Sequence, residues 1–466
     1  MKTPNHFRPT VFKLLETEDK LTAAAGLATI MEVFDQSPLS AGFKNALPER
    51  SLANNRSGGS YRLGLIQVNS FIYGHDCLDD LEEFRDDPLL EAAMKGEVAA
   101  PRTIGDFLRT FEDKNIDEMN TYLSSMSRKI REQLIEVLPP EFKPEKALTI
   151  DMDSTSHVQT GKEMEGLAWN YKNEWCIDSQ VAYDDLGLCH GVQLRSGNTK
   201  SGVEAPELIE HCFSGMKFAD EKYYRADSAY CYGEVVTTLV RLGVTYAIAA
   251  HDGTTGWRSQ IDKITEWTPW IYTKEDQEKA SKRRKELAKV ELGRFHWQPS
   301  WSENLRIPVV VKRTWKNPEQ VGMIELPGEW EYYAVVTNFD VFRNSLQNVM
   351  EFYQKRGNTE NFIREEKYGY DLKHFPCQKL MANHAYLQLG MVAHNILRWV
   401  AVTQKPDKPH FSKKIRRRYI YIPGKIVHHA RQVFLKIPKQ FYEEVQRLRK
   451  GMQFTPRKTA VASGFA

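Results

Sequence analysis

Hydrophobic and polar residues alternate strictly in the segment LTIDMDST, which begins at Leu148. Its apolar residues fall on one face, and Asp151 and Asp153 fall on the other, which is the two-residue period of a β-strand. The runs WCIDSQVAY and GLCHGVQLR, joined by DDLG at 184–187, predict a hairpin beside this strand. Two carboxylates on an otherwise buried strand carry a high desolvation cost unless they meet cations or a metal.

Helical and strand periods alternate after this hairpin. Residues 205–218 have a helical pattern, YYRADSAY places Asp227 at the end of a fourth strand, and a helix leads to a fifth strand, VTYAIAA. This order predicts an α/β fold with a mixed five-stranded sheet flanked by helices. Asp227 is a candidate functional residue because ligands and catalytic groups collect at strand ends in such sheets.

The remaining segments differ in pattern. Residues 1–146 are mostly helical in period, and Thr103 is predicted to cap a helix. The stretch after the fifth strand is rich in β-like runs and contains seven of the ten tryptophans. We therefore expect a helical domain at 1–146, a first α/β part at 147–251, a β-rich insertion at 252–337, a second part of the same fold at 338–403 and a C-terminal segment at 404–466.

The segment EFYQKRGNTENFIREEK has a polar pattern that packing alone would not produce. On a continuous helix, four of its polar residues share one stripe roughly 60° wide: Tyr353, Arg356, Glu360 and Lys367. A solvated helix face scatters such groups or pairs opposite charges at four-residue spacing. Here a carboxylate stands between two cations, so the pattern fits either a charged surface helix or a binding site.

Charge distribution changes the picture that composition gives. With 466 residues, 41% of them hydrophobic and 27% charged, the chain has the composition of a globular protein of several domains. Residues 401–466 contain 16 Lys and Arg against 3 Asp and Glu, a net charge of +13, which leaves −10 on the first 400 residues. Such asymmetry indicates a polyanionic partner such as nucleic acid, although a basic tail also serves solubility.

Cysteine usage and hydropathy indicate a location. The six cysteines are scattered without a C-x-x-C pair, which favours neither a zinc site nor disulfides and fits a reducing cytoplasm. The start of the chain turns polar at once, and the apolar run at 387–402 contains His394, Asn395 and Arg398. We therefore expect no signal peptide, no membrane span and a cytoplasmic location.

Three acidic positions stand out: Asp153 (or Asp151) on the first strand, Asp227 at the end of the fourth, and Glu360 after the insertion. Carboxylates from separate elements that converge on one point hold hard divalent cations. Two such ions about 4 Å apart activate an attacking hydroxyl and stabilise the leaving oxygen in a displacement at phosphorus. On spacing alone, a metal-dependent nuclease and a structural α/β domain both remain open.

The chain resembles the DDE transposases of insertion sequences, in the group with the signature Y-x2-R-x3-E-x6-K. The stripe of four polar residues matches this spacing without a gap, and LTIDMDST and YRADSAY resemble the family's first and second aspartate motifs. LRSGNTKSG resembles the loop between these motifs, so the resemblance covers residues 147–403. Gly357 is a departure, because some relatives carry a bulky aromatic residue after the arginine.

The resemblance implies an RNase H-like catalytic core with a β-rich insertion before the glutamate. It also implies a catalytic site in which Asp153, Asp227 and Glu360 hold two Mg²⁺ or Mn²⁺ ions, with Asp151 as the alternative first ligand. Asp153 is preferred because the family's aspartate precedes a small hydroxyl-rich pair, here Ser154-Thr155.

The same resemblance implies DNA-phosphate contacts for Arg356 and Lys367, with Tyr353 as a positioning group. The expected function is a DNA transposase that binds the terminal inverted repeats of its own mobile element and moves it by cut and paste, with or without a hairpin intermediate. Its partner is double-stranded DNA, both element ends and target, and no nucleotide cofactor is expected. A homodimer is expected in the DNA complex because two ends must be joined.

Two alternatives remain open at this point. One is an RNase H-like, structure-selective nuclease that hydrolyses DNA without strand transfer. The other is a catalytically silent DNA-binding protein derived from a transposase. Strand-transfer products would separate the first from a transposase, and metal-dependent cleavage would separate the second.

Overall fold

A computed structural model describes residues 12–49, 59–283, 286–317, 319–321, 324–326, 328–341 and 343–454. Within these ranges the chain has a mixed α/β fold, which confirms the fold class predicted from the strand and helix periods. Parts of the predicted terminal segments, at 1–11, 50–58 and 455–466, lie outside the described residues. No described helix combines the length and the apolar character that crossing a membrane requires.

The described helices are α1 (Ala25–Gln36), α2 (Pro38–Ala46), α3 (Gly59–Tyr73), α4 (Leu81–Asp86), α5 (Pro88–Met94), α6 (Pro101–Leu108), α7 (Asp113–Val137), α8 (Ala205–Phe213), α9 (Gly233–Arg241), α10 (Asp252–Thr255), α11 (Lys274–Lys282), α12 (Leu346–Gln354), α13 (Thr359–Gly369), α14 (Leu380–Gln404), α15 (Ser412–Ile415) and α16 (Lys439–Gly451).

The described strands are β1 (Leu21–Thr22), β2 (Leu148–Val158), β3 (Ala168–Trp169), β4 (Trp175–Asp184), β5 (Cys189–Ser196), β6 (Lys222–Ala226), β7 (Thr245–Ala249), β8 (Thr268–Pro269), β9 (Val290–Trp297), β10 (Ile307–Lys316), β11 (Glu319–Val321), β12 (Ile324–Leu326), β13 (Glu329–Thr337), β14 (Gly424–His429) and β15 (Gln432–Lys436).

One mixed sheet of ten described strands organises the molecule, in the order β3-β4-β2-β6-β7-β13-β10-β9-β8 with β5 also paired to β4. The first three predicted strands are antiparallel neighbours, β2 with β4 and β4 with β5. β6 lies parallel to β2 on its other side, and β7 lies parallel to β6. The sheet continues past these five strands because β13 pairs with β7, so the tryptophan-rich stretch extends the same sheet.

Apolar residues of the central strands pack on both faces of the sheet. Leu148, Ile150 and Met152 of β2 are buried in one core with residues of α8 and α9. On the other face, residues of β4 and β5 join a second core with α3, α7 and α14. The N-terminal helices therefore pack directly against the strands that follow them in the chain.

The start of one helix differs from its prediction. α6 begins at Pro101, not after Thr103, because proline is favoured at the first position of a helix, where its missing N–H leaves no bond unmade. Thr103 lies inside the first turn, where its backbone N–H donates to the carbonyl of Ala100. The predicted N-cap at Thr103 is wrong by one turn.

The segment predicted as one continuous helix, Glu351–Lys367, is interrupted. α12 ends at Gln354, residues 355–358 form a 3₁₀ turn, and α13 begins at Thr359. Gly357 in this turn is exposed, and a Cβ atom added to it would meet nothing within 4 Å. Glycine weakens an α-helix, and a 3₁₀ turn has about three residues per turn, so the single stripe of polar side chains is not maintained.

The basic C-terminal segment is attached to the N-terminal region. β14 pairs with both β1 and β15 in a separate three-stranded sheet. Arg416 of the KKIRRRY run is buried, and its guanidinium donates to the carbonyl oxygens of Phe71, Ile72 and Gly369. This arginine is therefore committed to holding the fold together.

Candidate active site

Asp153 and Asp227 lie side by side on two neighbouring parallel strands, Asp153 in the middle of β2 and Asp227 directly after the end of β6. The last pair in the register of β2 and β6 is Met152 opposite Ala226, and each aspartate is the next residue along its strand. Adjacent strands are about 4.8 Å apart. Asp227 begins a 3₁₀ turn where β6 ends, and its Oδ1 accepts a hydrogen bond from the backbone N–H of Ala229 at 2.9 Å. The structure thus brings two of the three predicted acidic residues together.

Arg356 contacts this pair of carboxylates. Its Nη1 donates to Asp153 Oδ2 at 3.0 Å, and both side chains are 16% exposed. Burial raises the pKa of Asp153; the positive charge of Arg356 opposes this rise, and the negative charge of Asp227 adds to it. Burial lowers the pKa of Arg356, but Asp153, Tyr353 and Asp227 together outweigh it, and the Arg356 pKa lies above its ordinary value. Arg356 therefore remains a fixed positive charge at the site.

Asp151, the alternative first ligand, has a different environment. Arg225 lies opposite it in the register of β2 and β6, and two guanidinium nitrogens, Nε at 2.5 Å and Nη2 at 2.8 Å, donate to its two carboxylate oxygens. The side chains of both residues are buried, with 3% and 4% exposure. Arg225 also donates to the carbonyl oxygen of Phe352, which ties α12 to β6. Both oxygens of Asp151 are thus engaged inside the protein.

Glu360 lies in the first turn of α13, with an exposed side chain. Arg356, four residues before Glu360, contacts Asp153. Thr359, directly before Glu360, is buried, and its side chain opposes the rise that burial causes in the pKa of Asp151. Among the described residues, the ligand oxygens of Asp153, Asp227 and Glu360 do not all come within 4.8 Å of one another. The third predicted acidic residue is thus on the segment that packs against β2, but it does not join the other two.

The donor chemistry of this site fits a divalent cation. Asp153 and Asp227 supply carboxylate oxygens, which are the ligands that Mg²⁺ and Mn²⁺ prefer. Their like charges lie close enough for Asp227 to raise the pKa of Asp153, which burial has already raised. Such a pair of carboxylates is stabilised by positive charge. Arg356 supplies one positive charge, and Asp227 follows the end of β6, a position where ligands collect in such sheets.

Tyr353 is buried and connects the arginine segment to the sheet. The hydroxyl of Tyr333 on β13 donates to the hydroxyl of Tyr353 at 2.7 Å. Burial raises the pKa of Tyr353, and the neighbouring Tyr333 and Arg356 oppose that rise. Both tyrosines and Arg356 line a cleft of about 460 Å³ together with Lys312 of β10. Tyr353 therefore holds the segment in place beside an open cleft.

Lys367, at the other end of the predicted signature, is bonded to the same strand as Asp153. Its Nζ donates to the carbonyl oxygen of Ser156 at 2.6 Å. Burial lowers the pKa of Lys367, whereas the charges of Glu366 and Glu174 oppose the change. Lys367 is therefore a half-buried cation three residues along β2 from Asp153.

A further buried ion pair near the site was not predicted from the sequence. Asp178 of β4 lies opposite both Ser156 and Arg195, and Arg195 Nε donates to it at 3.0 Å. Burial raises the pKa of Asp178 to about 6, although Arg195 opposes the rise. Counting from the pair Tyr183–Cys189 at the turn would place Leu194 opposite Asp178. An irregularity at Ala182 shifts the register by one residue, which conceals the pair from a sequence-based count.

The loop resembling the segment between the aspartate motifs also reaches the site. The hydroxyls of Ser201 in this loop and Ser154 are 2.8 Å apart. The carbonyl oxygen of Ser201 accepts from Gln180 Nε2 at 2.7 Å. Because Ser154 directly follows Asp153, the loop forms one wall beside that carboxylate.

Glu366, the residue before Lys367, has a buried carboxyl group. Tyr183 donates to Glu366 Oε2 at 3.2 Å, while Glu366 Oε1 has no hydrogen-bond partner among the described residues. Burial raises the pKa of Glu366 to about 7, in spite of Lys367 and Tyr183, which lower it. Burial also lowers the pKa of the neighbouring His157 to about 3. Glu366 therefore holds a proton at pH values where an exposed glutamate is ionised.

Elsewhere in the described ranges, Asp76, Cys77 and Asp80 also place possible metal-ligating atoms within 4.8 Å of one another. Asp80 Oδ2 accepts hydrogen bonds from the backbone N–H groups of the other two, at 2.9 Å and 3.3 Å. These bonds form the turn that leads into α4, so a structural role accounts for the group.

The chain matches one family of known proteins over nearly its whole length. The sequence profile described as Transposase DDE domain group 1 matches residues 13–453. No curated protein is detectably similar to the chain in sequence. Because the profile match spans nearly the whole chain, the protein belongs to the DDE transposase family.

Proposed function

We propose that this protein is a DNA transposase that binds the terminal inverted repeats of a mobile element, cleaves the DNA there and transfers the freed strand. The observation that carries the proposal is the adjacency of Asp153 on β2 and Asp227 just after β6, with Arg356 bonded to Asp153. The order β5-β4-β2-β6-β7, antiparallel and then parallel, supports an RNase H-like core. Membership of the family implies a DNA substrate and a metal-dependent transposase or nuclease activity in general.

Asp153, Asp227 and Glu360 are the residues that would hold two Mg²⁺ or Mn²⁺ ions. Asp153 is preferred over Asp151 because both oxygens of Asp151 are bonded to Arg225. When bound, such ions supply activation of the attacking oxygen and charge stabilisation of the leaving oxygen. Glu360 has to approach the two aspartates for this role, and the exposed 3₁₀ turn before it contains the residue Gly357, whose surroundings are open.

The cations of the site have a role toward the substrate. Arg356 and Lys367 lie at the two ends of the segment that packs on β2, and each is a fixed donor. Charge-assisted hydrogen bonds from such groups hold phosphate oxygens and position the backbone without reading its sequence. Tyr353 keeps Arg356 in place through its bond to Tyr333.

The reaction is a series of displacements at phosphorus. Water attacks the phosphodiester at the end of the element and releases a 3′-hydroxyl. That hydroxyl then attacks either the opposite strand, which gives a hairpin, or the target DNA. In each step one P–O bond forms as another breaks, so one site can serve all of them.

Recognition of the element ends belongs, in this proposal, to residues 1–146 and 404–466. Long-range attraction to phosphate comes from the net charge of +13 on residues 401–466. Lys413, Lys414 and Arg417 are exposed and available, unlike the buried Arg416. Two element ends must be held together for cut-and-paste transfer, so we propose a homodimer in the DNA complex.

The substitution Glu360→Gln tests this proposal. We expect cleavage of linear DNA that carries the gene with its genomic flanks to fall roughly a thousandfold, because a charge needed in the reaction is lost. Binding of the same DNA, measured by mobility shift, is expected to stay near wild type. Glu365→Gln is the matched control, since it makes the same change on α13 and keeps the acceptor for the backbone N–H of Ser412. Strong Mg²⁺-dependent cleavage by the Glu360→Gln protein would contradict the assignment.

A nuclease without strand transfer is the second candidate, because the same carboxylate arrangement serves hydrolysis alone. The discriminating measurement is the joining of a pre-cleaved element end to plasmid DNA. Joined products are expected from a transposase, and hydrolysis without joined products would favour the nuclease.

A further inference from the structure

A hairpin with exposed aromatic side chains lies at the edge of the sheet. Residues 168–175, AWNYKNEW, form this aromatic hairpin, which connects β3 to β4. Tyr171 at its tip is 90% exposed, and Trp169 is 62% exposed. The Trp169 ring packs against the ring of Trp175, with 5.5 Å between centroids, which supports one side of the indole. Large apolar side chains exposed together at one place indicate a binding surface.

The aromatic hairpin is rigid without help from these rings. Asn170 Oδ1 accepts hydrogen bonds from the backbone N–H groups of Lys172 and Glu174, both at 2.9 Å. Asn170 Nδ2 donates to the Glu174 carboxylate at 2.7 Å. Asn173 has a φ of 60°, a left-handed conformation that asparagine tolerates in turns. The fold therefore does not require the rings of Tyr171 or Trp169, and the hydrogen-bonded turn holds the backbone that carries them.

The aromatic hairpin is bonded directly to the strand that carries the candidate site. Asn170 Nδ2 also donates to Ser156 Oγ at 3.0 Å, and the carbonyl of Ser156 accepts the bond from Lys367. Ser156 is three residues from Asp153, roughly 10 Å along a β-strand. That distance corresponds to about three nucleotide steps of a DNA strand. A strand with its cleaved phosphate at Asp153 would thus pass the hairpin within a few nucleotides.

We propose that the aromatic hairpin stacks on unpaired bases of the DNA strand next to the cleaved phosphate, with Tyr171 and Trp169 as the platforms. Every base offers a flat face to an aromatic ring, so such contacts need no particular sequence. The Lys172 Nζ lies 5.4 Å over the Tyr171 ring and places a positive charge where a phosphate would follow the stacked base. This inference rests on the proposed function, since it takes DNA as the molecule held at Asp153.

Binding of two DNA probes to the full-length protein tests the inference. One probe is a forked DNA with two unpaired arms of about ten nucleotides, and the other is a fully paired duplex of the same length. We expect Tyr171→Ala and Trp169→Ala each to weaken binding of the fork about tenfold in fluorescence anisotropy with Ca²⁺ present. Binding of the duplex is expected to change by less than about twofold.

Two further variants control for ring chemistry and exposure. Tyr171→Phe keeps the ring and is expected to bind the fork like wild type. Phe218→Ala removes another exposed ring, 71% accessible with the Lys222 Nζ 5.8 Å over it, near the opposite end of β6 from Asp227. Its binding of both probes is expected to be unchanged. Since the substituted side chains are exposed, melting temperatures are expected to match wild type.

Three outcomes would overturn the inference. Fork binding by Tyr171→Ala and Trp169→Ala at wild-type strength would exclude stacking. If these two variants lose self-association in sedimentation while fork binding is unchanged, the surface is a contact between copies of the chain. If Asp153→Asn leaves metal-dependent cleavage intact, the proposed function fails, and this inference fails with it. If Asp153→Asn is inactive but Tyr171→Ala binds the fork as wild type does, only the hairpin contact is rejected.

Discussion

Asp151 and Asp153 lie two residues apart on β2, and each is paired with an arginine from another element. The two pairs differ in how completely the arginine engages the carboxylate. Arg225 donates to both oxygens of Asp151, and neither side chain is more than 4% exposed. Arg356 donates to one oxygen of Asp153, and both side chains remain 16% exposed. The inner pair is shielded by the sheet and α12, while the outer pair lies where β6 has ended.

This difference separates a structural ion pair from a candidate reaction centre. A buried pair has already lost its water, so breaking it leaves a desolvated charge and costs folding free energy. A partly open carboxylate beside a second one, as with Asp153 and Asp227, keeps its affinity for positively charged ligands. Strand periodicity puts Asp151 and Asp153 on the same face, and only the partners across the sheet distinguish them.

The largest expected effect is on catalysis at the outer pair. Asp153→Asn is expected to reduce Mg²⁺-dependent cleavage of DNA carrying the gene and its flanks roughly a thousandfold, because one charge of the site is lost. Urea unfolding is expected to show a stability loss below about 1 kcal/mol, since the pair is single and partly exposed. Cleavage at the wild-type rate would show that Asp153 is outside the reaction centre.

The next effect is on stability at the inner pair. Asp151→Asn leaves Arg225 buried without its counter-charge and is expected to lower the free energy of unfolding by about 3 kcal/mol. The fraction that remains folded is expected to keep metal-dependent cleavage, measured below the unfolding transition. A protein with Asp151→Asn that is as stable as wild type but inactive would reverse the two roles and make Asp151 the first ligand.

The smallest effect concerns Glu366, a carboxyl group that no arginine engages. Its pKa is raised by burial from 4.5 to about 7 in the folded protein. Between these pH values the folded chain binds a proton that the unfolded chain has released, so the free energy of unfolding falls as pH rises. Glu366→Gln removes this fall and can still accept the bond from Tyr183.

Urea unfolding at two pH values measures this effect. The stability of Glu366→Gln relative to wild type is expected to be about 3 kcal/mol greater at pH 8 than at pH 4. Glu365→Gln makes the same substitution on the same helix and serves as the matched control. An identical pH dependence in wild type and the Glu366→Gln protein would contradict the raised pKa.

Much of the central sheet was predictable because its signals are local. The alternation in LTIDMDST, the turn at 184–187 and the strand ending before Asp227 each depend on neighbours in the sequence, and the structure contains all three. The adjacency of Asp153 and Asp227 depends instead on the parallel pairing of β2 with β6, which no local pattern in the sequence shows. The family resemblance to DDE transposases, carried by these motifs, is confirmed by the profile match.

Other features depend on contacts that a single sequence does not contain. The choice between Asp151 and Asp153 depends on Arg225, 74 residues from Asp151. The break at 355–358 was missed because a helical period was extended through Gly357 and Asn358, both poor helix formers. The Asp178–Arg195 pair was concealed by an irregular register, which no local pattern reveals. The assignments of Asp153, Asp227 and Glu360 as metal ligands, and of Arg356 and Lys367 as phosphate contacts, remain predictions.

The pairing of β13 with β7 affects how this protein can be shortened. Val335, Val336 and Thr337 hydrogen-bond into the sheet opposite Ala249, Ile248 and Ala247. Deleting 252–337 would uncover the N–H and C=O groups of β7 along a flat, apolar edge, and such edges recruit strands from other chains. The tryptophan-rich stretch therefore covers this edge of the central sheet, and a minimal version of this protein would need a substitute strand in its place.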